Sequence, residues 1–317
     1  GTSIYSWGYG CSAQPAGGSL PTAIPLPTTG CPTMQIPGPT LIVTEGQTVT
    51  VTLTNNLPAR AGRTSILFPG FNVAVSGGVA GPLAQEAATS GTVTYTLTGG
   101  TPGTHSYYSG TQGDLQVEMG LYGAIVVLPA TIPANCTTGL AAGNLAAEAA
   151  NGEDDFRLAA AAYNHSSSCY DREYLFQFSE IDPKIHRAAE EIATCTGGTC
   201  PGTMDSVATE PYVPAYFMIN GRSMPDDMDP VYAPQYPHQP YNGNPHMHPG
   251  EMTLLRIVGQ GRWQHPFHEH GNHVRVLARD GNLLLAPPAV TAGPTTPLAG
   301  PLLFTTTTTP GQTIDGI

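Results

Sequence analysis

The feature that most constrains the fold is an alternation of apolar and threonine residues over residues 37–57. The apolar residues occupy odd positions, at Leu41, Val43, Val49, Val51 and Leu53. Successive side chains of a β-strand point to opposite faces of a sheet, so this period of two predicts half-buried strands. A turn at Glu45 and Gly46 divides the stretch into two such strands.

Length and composition extend this prediction to the whole chain. The 317 residues, 40% of them hydrophobic, suffice for two domains that each bury a core. Abundant glycine (38) and proline (31), with only 11% charged residues, are typical of short strands joined by many turns. Similar strand patterns recur over residues 91–98, 121–128, 250–259 and 273–281. We therefore predict an all-β protein of two sandwiches.

A stretch rich in alanine, glycine and asparagine, in which the alternation stops, marks the division between the sandwiches. A short helix is predicted over residues 182–192 as an insertion in the second sandwich, because Asp182 suits an N-cap. The final residues begin a strand and a turn, so we expect the natural polypeptide to continue past Ile317. The predicted boundaries are 1–135 for the first domain, 136–170 for a connecting segment and 171–317 for the second domain.

The charge distribution excludes two classes of partner. The formal net charge is -12 and lysine and arginine form no cluster, so nucleic acid and anionic lipid are not expected to bind. The sequence also has no run of about 20 apolar residues, the length that a helix needs to cross a bilayer. We therefore expect no membrane insertion.

The six cysteines indicate an oxidising compartment, which means a secreted protein, either extracellular or periplasmic. Proximity along the chain favours three local disulfides, although six cysteines allow other connectivities. A thiolate metal site is the alternative, but no pair has the short spacing of zinc ligands. The favoured pairs are Cys11 with Cys31, Cys136 with Cys169, and Cys195 with Cys200.

The most informative motif is His265-Pro-Phe-His-Glu-His-Gly-Asn-His273, which places four imidazoles within nine residues. If residues 268–270 form a strand, His268 and His270 share one face and both approach a single metal region. Neutral imidazole suits copper, zinc, iron and nickel alike. The alternative is a cluster of hydrogen-bonding histidines on the surface at a domain interface.

This motif resembles the His-Pro-x-His-x-His-Gly signature of the multicopper oxidases, and other landmarks of that family lie along most of the chain. The resemblance implies tandem cupredoxin-like Greek-key sandwiches, copper as cofactor, and oxidation at a type 1 copper coupled to oxygen reduction at a three-copper cluster. It also implies that His265 is a type 1 copper ligand and that His268 and His270 are cluster ligands. The landmarks are Pro37-Gly-Pro-Thr40, Glu45-Gly46, Asn55-Asn-Leu-Pro58, Met119-Gly-Leu-Tyr-Gly-Ala-Ile125 and Ile219-Asn-Gly-Arg222.

The sequence departs from the family at the ligands of the first domain. Leu67 and Pro69 stand where the first His-x-His is expected, and Tyr108 and Gly110 stand where the second is expected. No cysteine here has a histidine on either side, so the thiolate of a type 1 site is missing from these residues. We therefore expect no normal four-electron reduction of oxygen, and we assign no catalytic residue.

Two further histidine positions leave alternatives open. His105 is either a displaced ligand or an ordinary histidine of a loop. His246-Met-His248 combines two imidazoles with a thioether, which suits copper, but the flanking prolines favour a rigid surface turn.

Two functions follow from these observations. The first is a secreted copper-binding protein of oxidoreductase lineage with an incomplete three-copper site, and it has a small-molecule or metal-ion substrate only if that site is complete. The alternative is a non-catalytic extracellular structural protein that self-associates or joins a further subunit. Thr305–Thr309 favours the alternative, since it is rich in β-forming residues and has no evident partner strand.

Overall fold

The computed structural model describes residues 3–12, 34–287, 293 and 295–317. Strands dominate it, and none of the helices in these residues has both the length and the apolar character needed to cross a bilayer. The α-helices are α1 (Gly113–Gln116), α2 (Gly139–Ala150) and α3 (Pro183–Ala193), and the 3-10 helices are Ala59–Ala61, Ala134–Thr137, Met204–Ser206 and Asp226–Met228.

The first sandwich is built from two three-stranded sheets and one short hairpin. One sheet has the order β2-β6-β3, the other has the order β1-β8-β7, and β4 pairs with β5. Register places Val51 opposite Tyr95, so the predicted alternation does put one apolar face inward. The strands are β1 (Leu41–Thr44), β2 (Thr48–Thr54), β3 (Val73–Gly77), β4 (Val79–Ala80), β5 (Gln85–Glu86), β6 (Thr92–Thr98), β7 (Gly103–Tyr108) and β8 (Tyr122–Leu128).

The second sandwich contains a sheet of order β10-β9-β11-β17-β13-β14, in which β15 also pairs with β13, and a two-stranded sheet of β12 and β16. Phe267 of β12 packs on the core formed by Phe176, Phe178 and their neighbours. The strands are β9 (Arg172–Ile181), β10 (Tyr216–Ile219), β11 (Thr253–Gly259), β12 (His265–His268), β13 (Val274–Arg279), β14 (Asn282–Leu283), β15 (Leu302–Leu303), β16 (Thr305–Thr308) and β17 (Thr313–Gly316).

The predicted fold class, an all-β pair of cupredoxin-like sandwiches with a short helical insertion, is confirmed. One expectation was wrong: residues Thr305–Thr308 do have a partner strand, since they pair with His265–His268 of the same chain. The structure also contains a helix, α2, where we predicted only a connecting segment. Alanine is the strongest helix former, and α2 is rich in it.

Helix α3 begins as predicted and joins the two sandwiches. The Asp182 side chain accepts a hydrogen bond from the backbone N–H of Lys184 at 2.9 Å, which satisfies a free donor of the first turn. Ile185, Ala189 and Ile192 recur at helical spacing and belong to the buried core of the first sandwich. The insertion in the second sandwich therefore completes the core of the first.

A buried polar network also connects the sandwiches. The carboxylate of Asp315 accepts hydrogen bonds from the backbone N–H of Thr104 at 3.0 Å, and from the Thr104 and Tyr163 hydroxyls. Arg256 lies 3.7 Å from Asp315 and donates to Glu173 at 2.7 Å. These charged groups are almost completely buried, so each depends on the others for its partners.

Two of the predicted disulfides are confirmed. Cys136 is bonded to Cys169 with a Cα–Cα distance of 4.9 Å, and Cys195 is bonded to Cys200 with a Cα–Cα distance of 5.8 Å. The first ties the connecting segment to itself across α2. The predicted pair of Cys11 with Cys31 lies outside the described residues, because Cys31 does. The domain boundaries stay a prediction.

Candidate metal centre

Strand β12 presents its two histidines to opposite faces. His265 and Phe267 point toward the core, whereas Pro266 and His268 are exposed, as the alternation of a strand requires. His265 is only 13% exposed and stacks on Phe178, with ring centroids 5.5 Å apart. The histidine motif therefore divides into an inward residue and an outward group.

The inward residue, His265, is fixed by a buried carboxylate. Its Nε2 is hydrogen-bonded to Oε1 of Glu180, whose side chain is fully buried. Oε2 of Glu180 also accepts from the backbone N–H of Arg262 at 2.9 Å, and Oε1 accepts from that of Trp263 at 3.3 Å. Sequence reasoning missed Glu180, because it lies in another strand, 85 residues away from His265.

The outward group brings two imidazoles together. The rings of His268 and His270 are 4.9 Å apart, centroid to centroid, and both residues are exposed. His270 lies beyond the end of β12, so a strand is not what aligns the two rings. Nδ1 of His268 shares a hydrogen bond with the Thr305 hydroxyl at 2.6 Å. When Nδ1 carries the proton of that bond, Nε2 has the lone pair that a metal needs.

The Phe304 ring lies next to the exposed histidines. Its ring lies 5.9 Å from that of His268 and 5.7 Å from that of His273, and it is 55% exposed. Partial burial raises the pKa of the Glu269 carboxyl, and the nearby His273 acts in the opposite direction. The surface thus combines imidazoles with an exposed aromatic ring.

The four residues at which the sequence comparison expected copper-ligating histidines in the first sandwich also lie together. Leu67 and Tyr108 exchange backbone hydrogen bonds of 2.7 and 3.3 Å. A Cβ atom added to Gly110 would lie 2.7 Å from Cγ of Leu67, so the leucine side chain fills the space beside this glycine. Pro69 and Tyr108 line one wall of a common cavity. Backbone pairing and side-chain packing therefore connect these positions.

Comparison with known proteins supports the resemblance that the sequence indicates. The family model described as "Multicopper oxidase" matches residues 32–131. The resemblance to the multicopper oxidases is confirmed. A search of the curated proteins finds no match.

Solved structures of multicopper oxidases and a related enzyme share the fold over most of the chain. The multicopper oxidase mgLAC is 19% identical over 89% of this chain and 66% of its own, with a TM-score of 0.55. A blue copper oxidase from Nitrosomonas europaea is 18% identical over 99% and 73%, with a TM-score of 0.54. A copper nitrite reductase from the same organism is 19% identical over 90% and 74%, with a TM-score of 0.53. This chain thus spans slightly less than two thirds of mgLAC.

The three-copper cluster of the multicopper oxidases does not fit the residues found here. Leucine, proline and glycine side chains offer no metal ligand at three of the four first-sandwich positions, and Tyr108 provides a phenol instead of an imidazole. Across the described ranges, no three His, Cys, Asp or Glu side chains form a group suited to a metal ion. The pair His268 and His270 does offer two neighbouring, exposed imidazoles, which are donors that suit copper.

The cavity lined by Pro69 and Tyr108 lies between the sandwiches and measures about 350 Å³. His105 lies in β7 and not in a loop, and its Nε2 is hydrogen-bonded to the Thr101 carbonyl at 3.1 Å. Burial lowers the pKa of the His105 imidazole, against the opposing effects of that bond and of Asp315 and Asp280. The structure thus places His105 at the sandwich interface.

The His246-Met-His248 segment is exposed and is held by hydrogen bonds. Nε2 of His248 lies 2.7 Å from a carboxylate oxygen of Glu153, and the backbone N–H of His246 donates to the Tyr174 hydroxyl at 2.9 Å. These contacts are those of a surface turn, which was one of the two alternatives.

Proposed function

We propose that this chain is a secreted copper-binding protein of the multicopper oxidase lineage, which holds one copper ion between His268 and His270. The observation that carries the proposal is the approach of these two exposed rings to 4.9 Å within a motif typical of the family. Exposed, neutral imidazoles bind copper without the desolvation of a buried charge. A bound copper ion would supply one-electron redox chemistry.

The surrounding residues have separate roles in this proposal. Thr305 fixes the ring of His268 through Nδ1, which is how a hydrogen-bond partner orients a metal-ligating histidine. Phe304 covers one side of both His268 and His273 with an apolar ring. His265 stays a predicted ligand, and to join the same centre it must leave both Glu180 and the Phe178 ring.

The proposal does not include oxygen reduction at a three-copper cluster. The replacements at Leu67, Pro69, Tyr108 and Gly110 support this limit, because they leave the first sandwich without imidazole ligands at those positions. The two disulfides support a site of action outside the cytoplasm, where such bonds persist. The structural alternative loses the observation that favoured it, since Thr305–Thr308 already has a partner strand.

Copper stoichiometry tests the proposal. The chain is loaded with Cu²⁺, desalted and analysed for metal by mass spectrometry, and its Cu²⁺ spectrum is recorded by electron paramagnetic resonance. We expect about one copper per chain with nitrogen hyperfine structure from imidazole. Replacing both His268 and His270 by alanine should remove the copper and the signal.

Two further histidine variants serve as controls for the copper measurement. His246→Ala removes another exposed histidine and should leave the copper content unchanged. His265→Gln should also leave it unchanged, because this residue lies on the inner face of β12. Equal copper in the wild type and the double alanine variant would refute the proposal, and loss of copper in His265→Gln would restore the three-ligand prediction.

A further inference from the structure

A second cavity lies beside strand β10, on the inner side of the histidine motif. It measures about 220 Å³ and includes His265 in its wall. Its remaining lining residues are Phe178, Phe217, Met218, Ile219, Arg222, Met224 and Asp227. Apolar side chains thus surround two charged ones.

Both charged residues of this cavity have an unpartnered polar atom. Nη2 of Arg222 and Oδ1 of Asp227 are buried and have no hydrogen-bond partner among the described residues. The two residues are 1% and 7% exposed. A buried donor or acceptor without a partner destabilises a protein, so these two atoms mark a place where a ligand would gain hydrogen bonds.

The rest of the Arg222 guanidinium is already fixed. Its Nε donates to the Gln239 carbonyl at 2.8 Å, and Nη1 donates to the carbonyls of Asp229 and Pro230 at 2.9 and 3.1 Å. The ring of Tyr236 lies 4.7 Å from the guanidinium carbon. The free Nη2 donor is therefore held in a set position, and a ligand would not have to order it.

The cavity reaches the open edge of a sheet. In the described part of the chain, β10 is the first strand in the order of the large sheet, and β9 is the only strand that pairs with it. At one end of this edge, Ile219 exchanges backbone hydrogen bonds with Arg222, so the edge is open before that residue. Consecutive strand residues point to opposite faces, so a cavity that touches Phe217, Met218 and Ile219 in succession extends along the strand edge. An edge strand offers backbone groups to another extended chain.

An exposed apolar rim surrounds the entrance. Phe217 is 51% exposed, Met224 is 74% exposed and Trp263 is 45% exposed. The rings of Phe217 and Trp263 are 5.9 Å apart, so they form one aromatic surface. Contiguous apolar side chains of this kind are typical of sites that bind another polypeptide.

We propose that the cavity and its rim bind an extended, apolar peptide segment, one residue of which bonds through its own C=O and N–H to Arg222 and Asp227. The peptide C=O accepts from Nη2 of Arg222, and the N–H donates to Oδ1 of Asp227. Phe217, Met224 and Trp263 pack on the apolar side chains of the segment. Recognition of this kind draws affinity from main-chain hydrogen bonds and specificity from side-chain pockets.

The charges of the cavity favour a neutral peptide group over an ion. A free anion that bonded to Arg222 would also face the carboxyl of Asp227, and a cation that bonded to Asp227 would face the guanidinium. Burial also raises the pKa of the Asp227 carboxyl, although the nearby Arg222 acts in the opposite direction. One donor and one acceptor in the same cavity match what one residue of an extended chain presents on one side.

The test begins with short peptides selected from a displayed random library on the immobilised chain. The selected peptides are synthesised with blocked ends, and their Kd for the soluble chain is measured by fluorescence anisotropy. We expect Phe217→Ser to weaken binding by about tenfold or more, because aromatic anchors dominate such interfaces. Leu83→Ser, at another exposed apolar residue in the first sandwich, should have no effect.

N-methylation of the peptide tests the hydrogen bond to Asp227. Methylating one particular peptide nitrogen should weaken binding to the wild type by about tenfold, and that loss should largely disappear in Asp227→Ala. Copper content should stay unchanged in Phe217→Ser and Asp227→Ala, which separates this proposal from the copper site. Peptide binding that is insensitive to Phe217→Ser and to every N-methylation would overturn the inference. So would the finding that the small amide N-methylacetamide binds in the cavity whereas no selected peptide does.

Discussion

The two regions in which the sequence predicts copper ligands are built in opposite ways. In the first sandwich, Leu67 and Tyr108 are joined by backbone hydrogen bonds, and the leucine fills the space beside Gly110. In the second, His268 and His270 stand exposed with their rings 4.9 Å apart. Both places keep their strands, so the fold depends on strand pairing and packing and not on the metal ligands.

The largest effect is expected where the two sandwiches are joined. Asp315→Ala should lower the free energy of unfolding by about 3–5 kcal/mol, because it leaves Arg256 with one carboxylate fewer and removes the acceptor of Thr104 and Tyr163. Urea denaturation followed by circular dichroism measures the change. If this buried network couples the two sandwiches, both should unfold in a single transition.

The matched control for this change is Asp205→Ala, at an exposed aspartate. It should alter the free energy of unfolding by less than about 0.5 kcal/mol. Two separate transitions in Asp315→Ala would show that the sandwiches fold independently once the junction is lost. An effect no larger than that of the control would mean that the buried network adds little to stability.

A smaller effect is expected from returning a ligand to the first sandwich. Gly110→His should destabilise the fold by about 1–3 kcal/mol, because the new side chain overlaps Leu67, which already occupies that space. Thermal unfolding measures the loss. Combining Gly110→His with Leu67→Ala should recover part of it, since the alanine makes room for the imidazole.

Gly113→His is the control, because no neighbouring atom lies within 4 Å of a Cβ at that glycine. It should change the melting temperature much less than Gly110→His does. If Gly110→His were as well tolerated as Gly113→His, packing would not be what distinguishes the two regions.

The smallest effect concerns the histidine that remains at the sandwich interface. Burial lowers the pKa of His105 in the folded chain, so the unfolded chain, in which a histidine pKa is about 6.5, takes up the proton first as the pH falls. The stability contributed by neutral His105 is fully present above the pKa of the unfolded chain. It is lost as the pH falls from the pKa of the unfolded chain toward the lowered pKa of the folded chain.

Urea denaturation over this pH range measures the slope. His105→Gln should reduce the dependence of the unfolding free energy on pH. If the unfolding free energy changed with pH equally in the wild type and in His105→Gln, His105 would not be a source of the pH dependence.

Local sequence patterns were enough to predict much of this molecule. Period-two alternation predicted β2 and β6, and Asp182 predicted the start of α3, because these signals lie within a few residues of their effect. Helix α2 was missed although its alanine content favours a helix, since the stretch was assigned by its lack of strand alternation. The strands and helices with a clear local signal were therefore easier to predict than the structure of the segment between the domains.

The site was harder to predict, because its contacts join distant parts of the chain. The motif nominated His265, His268 and His270 together, but the alternation of β12 sends His265 inward to Glu180. Neither that carboxylate nor the unpartnered atoms of Arg222 and Asp227 have a signal in the local sequence. Such relations arise only when strands from separate segments are packed against one another.

Helix α3 limits which parts of this chain could be exchanged by recombination. Its residues lie in the second half of the chain, yet Ile185, Ala189 and Ile192 complete the core of the first sandwich. A recombination event that exchanged the second sandwich for that of another protein would also remove this helix and expose the apolar surface beneath it. A chimera that keeps the first sandwich must therefore also carry a helix with the same apolar face.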